Sequence, residues 1–128
     1  MKIETTILKN LLQNEDYARK VLPFLNDEYF TENSDKIIYN QINNFILKYN
    51  SLPNKEALNI ELSEAKITEE DFKESVNLIN EIGKDDQEFS DLSWLLDTTE
   101  KFCQDKAIYN AVVESISILD NPKSTADK

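Results

Sequence analysis

At 128 residues, with 40% hydrophobic and 30% charged side chains, the chain is long enough for one domain that buries its own core without disulfides or metals. Fourteen Lys and Arg face 25 Asp and Glu, a net charge of −11, which opposes unaided binding to duplex DNA, since such binders carry a basic stripe. With Gly83 as its single glycine and no histidine, the chain cannot build a phosphate-binding loop or a dinucleotide turn, and it lacks the commonest general base and metal ligand. The basic spots, Arg19-Lys20, Lys101 and Lys106, are few and scattered. No apolar run is long enough to cross a bilayer, and Glu4 interrupts any signal-peptide start, so no membrane role is expected. A lone cysteine, Cys103, excludes an internal disulfide and agrees with a reducing cytoplasm, the expected location.

The apolar spacing is helical almost throughout, and the expected class is all-α: a compact head of five to six helices followed by one long helix. Ile3, Ile7, Leu8, Leu11 and Leu12 mark a first amphipathic helix ending near Gln13. Asn14 is a cap for a second, which carries Tyr17, Val21 and Leu22 and ends or bends at Pro23. Asn26-Asp27-Glu28 reads as a turn that delivers Tyr29 and Phe30 into the core. Asn33 or Ser34 is the expected cap of the next helix, with Ile37, Ile38, Ile42, Phe45, Ile46 and Tyr49 inward and a stop at Asn50-Ser51. Asn54 caps a short helix holding Ala57, Leu58 and Leu62.

A further start is written at Thr68, where a side-chain cap is worth about 1 kcal/mol and Glu69, Glu70 and Asp71 oppose the helix dipole. Phe72, Val76, Leu78, Ile79 and Ile82 form its inward set, and Gly83 stands where a left-handed C-cap residue belongs. A polar connection, 84–91, leads to the longest helix, 92–119, closed by Asn121-Pro122, and 120–128 is expected to be a mobile tail. The domain division is thus a head over 1–91, the long helix over 92–119 and the tail.

In that long helix Leu95, Phe102, Tyr109 and Ile116 recur every seven residues, with Val112 and Leu119 alongside and Val113 flanking. Such spacing suits a helix packed lengthwise on another. For its first half, ordinary core packing and a partner helix are equally open. Beyond Tyr109 the helix is expected to outrun the head, which favours a partner helix. Phe102, Tyr109, Val112, Val113, Ile116 and Leu119 are therefore the candidate self-association stripe.

No catalytic, cofactor or metal site is expected within the chain. Neither Glu69-Glu70-Asp71 nor Asp85-Asp86 with Glu88 has the spacing or central glycine of a calcium loop. Cys103 lacks a histidine partner, and neighbouring acids should raise its pKa. The 11 Phe and Tyr residues fall mostly at core-facing spacings, not on a base-stacking platform.

Several ordered segments carry a resemblance. Asp27-Glu28-Tyr29-Phe30, Lys36-Ile37-Ile38-Tyr39, Tyr49-Asn50-Ser51-Leu52-Pro53 and Ala57-Leu58-Asn59-Ile60-Glu61-Leu62 come first. Ser93-Trp94-Leu95, Thr99-Glu100-Lys101-Phe102 and Ala107-Ile108-Tyr109-Asn110-Ala111 follow. The set resembles the N-terminal domain of DnaB-type hexameric replicative helicases, and within that family the T4-like phage version. The resemblance implies a helical head and a helical hairpin that join copies into a collar over an ATPase ring. It also implies primase and a helicase loader as partners, and ATP with Mg²⁺ in an ATPase domain lying outside this sequence. The second hairpin helix has no counterpart before residue 128, so the chain is expected to be a piece of a longer protein. Lys106 stands where the family often has arginine, which weakens any bidentate contact there. A rival expectation, an acidic phage protein mimicking DNA to block a host factor, needs acids arrayed on one face. In this sequence they are spread along most helices.

Overall fold

In the computed structural model, which describes residues 2–84 and 91–120, the apolar periodicities form six α-helices and one 3₁₀ turn. No strand occurs among the described residues. The helices are α1 (Ile3–Gln13), α2 (Glu15–Val21), α3 (Asn33–Tyr49), α4 (Lys55–Glu64), α5 (Glu69–Ile82) and α6 (Leu92–Asp120), with the 3₁₀ turn at Asp27–Tyr29 between α2 and α3. The expected 84–91 connection is described only at its two ends; of the expected tail, Asp120 ends α6, whereas 121–128 lie outside the described residues, as do Asp85, Asp86 and Glu88.

Three of the side-chain caps act as anticipated. Asn14 Oδ1 accepts from the Tyr17 amide at 3.1 Å, Asn54 Oδ1 from Ala57 at 2.7 Å and Thr68 Oγ1 from Asp71 at 3.1 Å. Each satisfies an amide that the first helical turn leaves unpaired. Pro23 follows the end of α2 at once, and the Phe24 and Leu25 amides turn back onto the Val21 carbonyl.

Two capping expectations are corrected. Helix α3 begins at Asn33 itself, so the N-cap is Glu32, one residue before the anticipated caps, and no side-chain cap bond forms. Ser34 and Asp35 are buried instead of capping. The Glu32 carboxylate is held by Lys2 Nζ at 3.1 Å, and Lys2 also lies 3.7 Å from Asp35. Burial pushes the Asp35 carboxyl above its ordinary range, and Lys2 offsets that only in part. The left-handed C-cap is not Gly83, which has φ −84°, but Asn50 at φ 55°, closing α3. Arg19 holds that conformation, donating to Asn50 Oδ1 at 3.2 Å and to its carbonyl at 3.1 Å. Gly83 serves a spatial need: a Cβ there would sit 2.8 Å from the Ile79 carbonyl oxygen and 3.2 Å from Lys55 Cδ.

The head is built on α1, α3 and α5, which contact one another, with α4 closing over α3 and α5. Ile7, Leu8 and Leu11 of α1 meet Ile38 and Ile42 of α3 and Ile79 and Ile82 of α5, with Leu58 and Leu62 added from α4; all are fully buried. Each such side chain contributes about 1.5–3 kcal/mol on burial. The inward faces are shorter than the periodicity implied. Tyr49 and Phe72 are exposed, because α3 runs past its neighbours and Ser75 takes the buried position in α5. Tyr49 instead packs its ring 4.7 Å from that of Phe45.

Helix α2 packs against both α1 and α6, and α6 rests on α2 and on the 3₁₀ turn. Phe30 is the keystone of that seam. It is fully buried, with ring centroids 5.4 Å from Tyr39 and 5.9 Å from Phe102.

Candidate interaction face on the long helix

Helix α6 has 29 residues, about 43 Å at 1.5 Å per residue, and it changes character along its length. In its first half Leu95, Thr99, Phe102 and Cys103 are buried against the head. The Tyr17 hydroxyl and Thr99 Oγ1 lie 2.6 Å apart in a buried hydrogen bond that fixes the rotation of the helix. Burial pushes the Tyr17 phenol up to about 12, although the bond to Thr99 works the other way. The Cys103 thiol is also raised, and the cause is burial, not the neighbouring acids that the sequence suggested.

The last links to the head are polar. Lys106 Nζ is 3.4 Å from Thr31 Oγ1 and lies over the rings of Phe102 and Tyr109, at 5.9 and 6.0 Å from their centroids. Its ammonium therefore makes point contacts, with no bidentate pairing. Asn110 Nδ2 donates to the Glu28 carbonyl at 3.1 Å. Beyond it, residues 111–119 are all exposed.

Each helical residue turns about 100°, so directions around α6 follow from its rotation on the head. Leu95, Thr99, Phe102 and Cys103 lie within about 60° of the head-facing direction. Past residue 106 that direction is taken by Asn110, Val113 and Ser117, which with Glu114, Ile118, Glu28 and Lys36 line an open cleft of about 440 Å³. The apolar residues Ile108, Tyr109, Val112, Ile116 and Leu119 point instead to a side turned by about 120°. In the first half, that outer side carries the exposed Trp94, then Lys101 and Asp105, which are joined by an exposed ion pair of 2.9 Å.

The predicted stripe is thus divided. Phe102 is 7% exposed and belongs to the core, whereas Tyr109, Val112, Val113, Ile116 and Leu119 are 45% to 79% exposed. Two apolar residues were missed, Ile108 and Ile118, and both are exposed. A seven-residue spacing hides Ile108. The signal that finds it is the i, i+4, i+8, i+11 set Ile108, Val112, Ile116 and Leu119, which follows the 3.6-residue period of a straight helix.

Elsewhere, a half-enclosed groove of about 580 Å³ between α2 and α6 is lined by Val21, Phe24, Leu96 and Cys103, with Lys20 and Glu100 at its rim. A polar notch of about 270 Å³ brings Lys2 together with Glu32, Asp35, Glu74 and Glu81. Among the described residues, no three His, Cys, Asp or Glu side chains are grouped so as to hold a metal ion, and no helix is long and apolar enough to cross a membrane.

The chain resembles a phage replicative helicase. It is 31% identical over 122 residues to the DnaB-like replicative helicase of Enterobacteria phage T4, which supports a family relation. The match covers 95% of the chain and 25% of that protein, so the chain spans about a quarter of the relative's length. No protein-family model matches the chain.

Proposed function

We propose that this chain is the N-terminal assembly domain of a phage replicative DNA helicase. In this reading copies of the domain form a collar that supports the hexamer and docks primase and the helicase loader. The whole protein would unwind DNA with ATP and Mg²⁺ bound in a separate ATPase domain, working in the host cytoplasm. The single observation that carries the reading is the exposed apolar set on the second half of α6, Tyr109, Val112, Val113, Ile116 and Leu119 with Ile108, on a chain related over almost its whole length to such a helicase.

Complete burial of one such side chain contributes about 1.5–3 kcal/mol, so six half-covered ones leave roughly 5–9 kcal/mol unrealised. Association alone costs about 4–15 kcal/mol in lost freedom. The face by itself therefore supports weak, concentration-dependent pairing, and a stable collar needs the additional surface of the whole protein.

The test is made on the protein encoded by the entire reading frame. That frame is expected to contain a glycine-rich phosphate-binding loop, and its product to sediment as a hexamer. Ile116→Glu or Tyr109→Glu should weaken that assembly at least tenfold. A frame encoding no such loop, or a hexamer indifferent to both substitutions, would sink the proposal.

A further inference from the structure

We draw no further inference here: the strongest candidate, the half-enclosed apolar groove between α2 and α6 lined by Val21, Phe24, Leu96 and Cys103, carries nothing because no feature of the structure shows what covers it.

Discussion

The first half of α6 turns most of its apolar residues towards the head, with Trp94 the exposed exception, and the second half turns most of them away. Leu95, Phe102 and Cys103 are buried, whereas Ile108, Val112, Ile116 and Leu119 stand on the opposite flank beyond the last polar pin, Asn110. One continuous helix therefore has two stripes, separated by about a third of a turn. Stability is concentrated in the first stripe. The second contributes little to the isolated domain, because its side chains remain largely in water. Under the proposed function that face is a surface for another chain, and the domain cannot roll the helix inward without breaking the Tyr17–Thr99 bond.

The largest test of this difference is truncation in each half. Phe102→Ala removes a ring packed on Phe30 and should cost about 3–5 kcal/mol in denaturant unfolding. Ile116→Ala in the isolated domain should stay within about 0.5 kcal/mol of the parent. Comparable losses at the two sites would show that the second half is buried in solution.

Next in size is the buried hydroxyl pair. Tyr17→Phe leaves the Thr99 hydroxyl without its partner, and Thr99→Val does the converse; each should cost about 1–3 kcal/mol. The double variant should cost less than the sum of the two, giving a coupling measurable by a double-mutant cycle. Strict additivity would mean that this bond does not set the rotation of α6.

Thiol chemistry compares the halves with a single conservative change in the core, Cys103→Ser. Cys103 is buried and its pKa is raised by that burial, so it should react slowly with a thiol reagent near pH 8, faster as pH climbs through the raised pKa. A cysteine introduced by Val112→Cys, in a Cys103→Ser background, should react at least about tenfold faster at pH 8, because it stands in water. Equal rates would erase the distinction between the stripes.

The smallest expected effect lies at the crossover. Asn110→Ala removes one exposed hydrogen bond to the Glu28 carbonyl and should lower stability by about 0.5–1 kcal/mol. Amide exchange should increase from residue 110 onward and stay unchanged over the first half. A rise spread evenly along the helix would place the boundary elsewhere.

Local chemistry made most of the head readable. Asn14, Asn54 and Thr68 each carry the oxygen that an N-terminal amide needs, and Pro23 lacks the donor that a continuing helix requires. The apolar period alone placed Ile7, Leu11, Ile38, Leu58 and Ile79 inside. A single glycine and the lack of histidine by themselves exclude a phosphate loop and histidine chemistry within the chain.

Capping at α3 and Gly83 was not legible, because it depends on residues distant in the chain. Lys2 draws the Glu32 carboxylate aside, Arg19 steadies Asn50 in the left-handed region, and Lys55 crowds the space beside Gly83. The same reason governs α6. Its apolar spacing determined that it would be a long helix with surface to cover, but a periodic pattern has no fixed zero of angle. Only the tertiary contacts of Tyr17 with Thr99 and of Phe30 with Phe102 set that angle. Through it they decided that Phe102 is core and that Tyr109, Val112, Ile116 and Leu119 face outward.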